Sequence, residues 1–155
     1  MKPFEFDYDE FQAKLAAIAD VSDRELALLE DTVRFYNSKN RARTPGGYCV
    51  YYATENSPGC AIGRCIERSK INQFDTMYSV LRLIEEKFSL PSWLVAMDKI
   101  FLKNLQILHD DFTNWNDAGI SETGMLFVEE IKQHINDLRI ERAQKTIVDM
   151  PSGTA

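Results

Sequence analysis

Residues 92–113, SWLVAMDKIFLKNLQILHDDFT, place Leu94, Met97, Phe101, Leu105, Leu108 and Phe112 at repeating three- and four-residue intervals. Side chains so spaced fall on one face of a helix, so the stretch predicts a long helix with a continuous buried stripe. Downstream, Trp115-Asn-Asp-Ala-Gly-Ile120 interrupts the period and Gly119 suits a left-handed helix end. Ser121 then caps a last helix whose stripe is Met125, Val128, Ile131, Ile135 and Leu138. Upstream, helix is expected from Asp75, with Met77, Val80, Leu81, Ile84 and Phe88 on one face. Leu90-Pro91-Ser92 closes that stripe, and Pro91 is placed to start a new turn.

Nearer the N-terminus, Phe11, Leu15 and Ile18 mark a helix over residues 8–19. Ser22-Asp-Arg-Glu25 has the form of a capping box and opens a second helix along Leu26, Leu29, Val33 and Tyr36. The four of these amphipathic stripes that have bundle length must bury one another. The predicted fold is therefore mainly α, a compact helical domain of five to seven helices over residues 1–150, with a flexible tail at 151–155. A short β element is expected at Tyr48–Ala53, where aromatic and β-branched residues lie between Gly46-Gly47 and Asn56-Ser-Pro-Gly59. A lone strand needs a partner: either residues 40–46 supply one, or the segment is extended chain packed on helices.

With 155 residues, 45% of them hydrophobic and 27% charged, the chain has the make-up of a globular protein that needs no staple. Its net charge of −6 weighs against general nucleic-acid binding, which needs a surplus of Lys and Arg on one face. No apolar run has signal-peptide or membrane-span length, which suggests a cytoplasmic protein with no membrane association and reduced thiols.

Tyr48–Ile66, YCVYYATENSPGCAIGRCI, concentrates the candidate chemistry and holds all three cysteines. Read as a strand, a Pro-Gly turn and a helix start, it would put Cys60 at a helix N-terminus, where the dipole favours a thiolate. His109 as base and Asp110 as its orienting carboxylate would complete a nucleophilic set for a cysteine-dependent hydrolase or transferase. A phosphatase loop needs five residues between Cys and Arg, whereas Cys60-Ala-Ile-Gly-Arg64 has three. Zinc is disfavoured because Cys49, Cys60 and Cys65 form no Cys-x-x-Cys knuckle, so neither a metal nor a cofactor is expected.

The same stretch also suits a small anionic ligand. Gly59 precedes the helix start, Gly63 allows close backbone approach, and Arg64 lies beside the basic loop 37–47 with Arg41 and Arg43. Tyr48, Trp115, Asn116 and Asp117 are candidates for the same surface, although turn chemistry is the favoured explanation of Asn116 and Asp117. A third reading makes Tyr48, Tyr51, Tyr52 and Trp93 the anchors of a protein interface.

The order of Cys60, Gly63, Trp115, Asn116, Asp117 and Ser121 resembles a family of small uncharacterised bacterial and phage proteins, with a Cys-x-x-Gly helix start and a downstream Trp-Asn-Asp turn. The match covers roughly Tyr48–Leu138, and departs from the family where Ser121 replaces Thr and Arg64 replaces a small residue. It implies an all-helical fold and a pairing of the two motifs in space, without an activity. The expectation is a non-enzymatic binding or interaction protein, such as a phage or mobile-element accessory factor. It would contact a protein partner or a small anionic ligand.

Overall fold

A computed structural model describes residues 5–41, 50–74 and 78–148, with side chains at 72–74 excepted. Asp7 accepts a hydrogen bond from Glu10 N and opens α1, Tyr8–Ala16. Asp20 accepts from Asp23 N and opens α2, Val21–Phe35. The capping box read at Ser22 and Glu25 is thus displaced by two residues, because Asp20 is the side chain that reaches a free helical N–H. Ser22 and Glu25 are freed for a different task and both are buried.

Two 3₁₀ turns follow, Gly63–Cys65 and Arg68–Phe74, before α3, Val80–Glu85. The long helix expected over 92–113 is split into α4, Ser92–Val95, and α5, Lys99–Asp110. Asp98 causes the break by capping Phe101 N at 2.9 Å. The stripe survives the break except at its end: Leu94, Met97, Phe101, Leu105 and Leu108 are buried, and Phe112 is exposed.

A 3₁₀ turn, Phe112–Asn114, leads into β1, Trp115–Asn116, which pairs antiparallel with β2, Gly119–Ile120. Gly119 takes the positive φ expected of it, +141°, but in this hairpin rather than at a helix end. Ser121 caps α6, Glu122–Val148, accepting from Gly124 N at 3.1 Å. The fold is mainly α with a short β element, as the stripes require. The paired strands lie at 115–120, however, and Val50–Ala53 lies outside any strand. Its reason is local: Val50 O accepts from Cys60 N and Thr54 N donates to Ser57 O, both at 2.8 Å, so the chain folds back on its own continuation.

The core gathers Leu28 and Leu29 of α2, Leu83 of α3, Leu94 of α4, Phe101, Leu102, Leu105 and Leu108 of α5, and Val128, Ile131 and Ile135 of α6. Three stripe assignments shift by part of a turn; in α3 Leu83 is buried, whereas Leu81 and Ile84 are half-buried. In α2 the buried line runs through Leu28, Leu29 and Thr32 rather than Leu26 and Val33, and Met125 of α6 faces outward. A polar network ties α2 to α6 and α5. Arg142 makes paired bonds to buried Glu25, Nη1 to Oε1 at 2.7 Å and Nη2 to Oε2 at 3.1 Å, and donates to Ser22 Oγ at 2.6 Å. Glu25 Oε2 also accepts from Asp98 N at 2.7 Å, and Asp98 Oδ2 lies 2.8 Å from His134 Nε2. Among the described residues no helix is long and apolar enough to cross a membrane.

Candidate functional site

The chain from Ser57 to Ile66 is buried at every position, although it contains only one three-residue turn of regular structure. Buried irregular backbone must satisfy its polar groups internally. Gly59 N donates to Ser57 Oγ, Cys60 N to Val50 O, and Arg64 N to Cys60 O. From outside the segment, Gln12 Nε2 of α1 donates to the carbonyls of Arg64 and Ile66 at 2.9 and 2.8 Å. Arg68 donates to Gly63 O and Ile66 O.

Both glycines are needed because this segment lies directly on the backbone of Tyr51. A Cβ at Gly59 would come to 2.5 Å from Tyr51 O, and one at Gly63 to 2.1 Å. The helix start expected at Cys60 is therefore no outward-facing N-terminus. It is a 3₁₀ turn whose N–H groups are consumed inside the protein, and Gly63 N donates to Cys60 Sγ at 3.3 Å.

Arg64 also turns inward, with no exposed surface. Its Nη1 donates to Asp31 Oδ1 at 2.6 Å, and its guanidinium lies 4.4 to 5.7 Å from the ring centres of Phe11, Tyr36, Phe35 and Phe6. Rings present their negative faces to a cation, so the cage offsets part of the cost of taking the charge out of water. Burial works against the charge, yet the pKa of Arg64 is raised overall, with Asp31 contributing both its charge and a hydrogen bond.

Tyr36 joins the pieces that the sequence places far apart. Its hydroxyl donates to Gly59 O at 2.7 Å, and its ring meets His109 edge-on at 4.7 Å and Trp115 at 6.2 Å. Trp115 is anchored by its Nε1–H to Leu108 O at 2.8 Å. Arg41 Nη1 donates to the last carbonyls of α5, His109 O at 3.0 Å and Asp110 O at 2.5 Å, a cation placed at the negative helix end. Asn116 Oδ1 accepts from Ala118 N and Gly119 N, and its carbonyl accepts from Ser38 N at 3.0 Å. Ser38 Oγ bonds to Asp117 Oδ1, so loop 37–40 is fastened to the hairpin tip.

The structure thus brings Gly59, Arg64, His109 and Trp115 together around Tyr36, Arg41 beside them on α5, and Asn116 and Asp117 on the adjoining surface. Arg43 and Tyr48 lie outside the described residues. The cysteine-nucleophile geometry is not formed. Cys60 is 1% exposed, and His109 has no exposed surface and directs Nδ1 to Asp110 Oδ1 at 2.8 Å. Among the described residues no hydrogen bond joins Cys60 to His109, and no three His, Cys, Asp or Glu side chains come together as a metal shell. Burial pushes the Cys65 thiol up to about 12, far from the range of a reactive thiolate. A shallow cleft of about 410 Å³ borders Asp110, with Ser79, Lys103, Gln106, Ile107 and Asp111, but His109 does not line it. Of the proposed interface anchors, Tyr51 is in the core, donating to Tyr78 O and accepting from Gln106; Tyr52 is exposed and Trp93 half-buried.

Stripe reading places Tyr36 on the apolar face of the second helix but gives no sign of its junction role, because its hydroxyl and ring edges do more than fill a helical face. Arg64 carried a readable signal: a single cation inside the apolar run Cys60–Ile66, in a chain whose N-terminus supplies Phe6 and Phe11.

Buried His109 sets an acid limit on stability. Desolvation lowers its pKa from 6.5, Arg41 and Arg64 add to the effect, and Asp110 opposes it. A base depressed in the folded state takes up its proton more readily once unfolded. Its contribution is therefore intact above about pH 6.5 and declines as pH falls below that value. Asp98 and Asp111 shift the other kind of group. Partial burial opposes ionisation of Asp98, but its bonds to His134 and Phe101 N prevail, and Thr113 holds Asp111 down; both lie below 3.8. The stability they give is present above that value and is lost as pH drops through their folded pKa values. Urea titrations at about pH 7.5 and about pH 5 should show the midpoint falling, at a slope of up to about 1.4 kcal/mol per pH unit for one proton. An unchanged midpoint would mean that His109 does not titrate against the fold.

Comparison of the chain with known protein families, with curated proteins and with solved structures finds no match.

Proposed function

We propose that this chain is a non-enzymatic binding protein that engages a protein partner. The contact surface is the exposed side of the junction, where loop 37–40, the hairpin tip and the start of α6 meet. The observation that carries the reading is a division of labour around Tyr36. Cys60, Cys65 and the imidazole of His109 are shut into the core, whereas Asn116, Asp117 and Ala118 stand exposed at the hairpin tip. A small anion finds little to hold it, since Arg41 and Arg64 spend their guanidinium groups on α5 carbonyls and on Asp31.

Two measurements test this reading. Iodoacetamide should leave Cys60 and Cys65 unmodified in the native protein and label both in denaturant, because neither sulfur reaches solvent in the fold. Cys60 reacting as fast as a free thiol would restore the cysteine-nucleophile alternative. Photo-cross-linking from Ala118, replaced by a benzophenone residue, should trap a protein partner. A surface that traps none would remove the binding role.

A further inference from the structure

Where α1, the Arg68–Phe74 turn and the chain leading into α4 meet, they border a cleft of about 300 Å³. That lies at the lower end of the range for ligand sites and suits a single ring. Its lining is of two kinds. Leu90, Pro91 and Trp93 supply an apolar wall, and Leu90 and Trp93 are packed half-buried against the core. Gln12, Glu67, Lys70 and Ser89 supply the polar side.

Both sides are fixed from behind. Gln12 Nε2 is committed to the carbonyls of Arg64 and Ile66, Lys70 Nζ donates to Ser89 Oγ at 2.8 Å, and Trp93 O accepts from buried Arg24 Nη1 at 3.1 Å. Ligand sites are usually formed before the ligand arrives, and these bonds meet that requirement.

The lining also carries unspent hydrogen-bonding capacity. An amide that gives both N–H donors to carbonyls can be oriented only one way, so Gln12 Oε1 is the end left over. It has no partner among the described residues. Trp93 Nε1–H, which in a buried tryptophan usually has an acceptor, has none among them either. Lys70 spends two of its three donors, on Ser89 and on Glu67 at 3.2 Å, and the Glu67 carboxylate accepts otherwise only from Ser69, at 2.9 Å. The two charges cancel, so a phosphate or a free acid gains little here. A hydroxyl suits this mixed lining, because it can donate to Gln12 or Glu67, accept from Lys70 or Trp93, and rotate between them. The edge of a nucleobase, by contrast, presents a fixed pattern.

We propose that this cleft binds a neutral polyhydroxylated ring, one sugar unit, with its C–H face against Trp93 and its hydroxyls on Gln12 Oε1, the Glu67 carboxylate and Lys70 Nζ. The site shares no residue with the hairpin-tip surface. It is a function additional to partner binding and stands or falls separately.

The test titrates glucose, galactose, mannose, N-acetylglucosamine and ribose into the isotope-labelled full chain, with glucose phosphate, adenosine and indole as rival ligands. Amide and indole N–H chemical shifts are followed. At least one neutral sugar should shift the Trp93 indole N–H, the Gln12 side-chain amide and the backbone amides of residues 67–70 and 89–93. It should saturate at about 1–10 mM, the range open to so small a ligand. Raising the salt should leave that affinity unchanged, and the phosphate should bind no more tightly than the sugar. The double variant Glu67→Ala/Lys70→Ala, altered at side chains 59% and 39% exposed, should keep its melting temperature and lose at least about tenfold in affinity as hydrogen bonds to charged groups go. The absence of shifts with every neutral sugar, or shifts scattered outside the cleft, would overturn the proposal. So would tighter binding of adenosine, indole or the phosphate, or an unchanged affinity in the double variant. Cross-linking from Ala118 is indifferent to all of these results.

Discussion

Replacing Arg142 by alanine is expected to remove about 3–5 kcal/mol of stability, the usual cost of stranding a buried charge. Arg142 supplies two bonds to a carboxylate with no solvent exposure, and Glu25 has no second cation among the described residues. The loss should appear as a fall in melting temperature of roughly 10 °C, taking the usual 2–4 °C per kcal/mol for a chain of this size. Glu25→Gln combined with Arg142→Met should recover much of it, because the double change leaves no unpaired ion. Urea unfolding of the three proteins checks both statements. A single variant losing under about 1 kcal/mol would show that water, rather than Arg142, satisfies Glu25.

Gly63→Ala should cost about 3 kcal/mol or more, at the upper end of overpacking effects, because the added methyl meets backbone. Its Cβ would lie 2.1 Å from Tyr51 O and 2.8 Å from Tyr51 Cα, and neither can rotate away as a side chain end could. Gly119→Ala is the control. It has a positive φ, +141°, which Gly63 does not, but nothing lies within 4 Å of the added atom, so only conformational strain opposes it. Chemical denaturation should rank Gly63→Ala well below Gly119→Ala. Equal losses would mean that the approach to Tyr51 does not explain the glycine at 63.

Helical periodicity made most of the fold legible, since Leu94 to Leu108 and Val128 to Ile135 need only a 3.6-residue repeat to be recognised. It failed where a polar residue decided the local geometry. Asp98 ends one helix and starts another inside an unbroken apolar stripe, and Asp20 caps ahead of Ser22. Phe112 satisfied the spacing but lies beyond the last turn of α5, where the stripe no longer faces the core. Composition points to a short strand at Tyr48–Ala53, whereas pairing depends on a turn that lets two segments meet, and Asn116 with Gly119 supplies it at 115–120.

The two segments singled out as candidate site come together, and the charged and thiol groups of the first turn inward. The segment at Gly59 to Arg64 and the Trp115 turn do meet, through Tyr36. Glycine next to a cation suggested an open anion cradle. The same residues serve close packing, and no spacing rule distinguishes the two uses without knowing which way Arg64 points.

The ten residues from Ser57 to Ile66 bear on how relatives of this chain could be recognised. Any backbone with suitable stripes can supply helices like α5 and α6, so their sequences are free to drift as long as the period is kept. The buried segment has no such freedom, because each position answers to a particular neighbour: Gly63 to the Tyr51 backbone, Arg64 to Asp31 and four rings, Gly59 to Tyr36. What distinguishes this protein from other small helical domains is written mainly in ten residues that are scarcely helical at all.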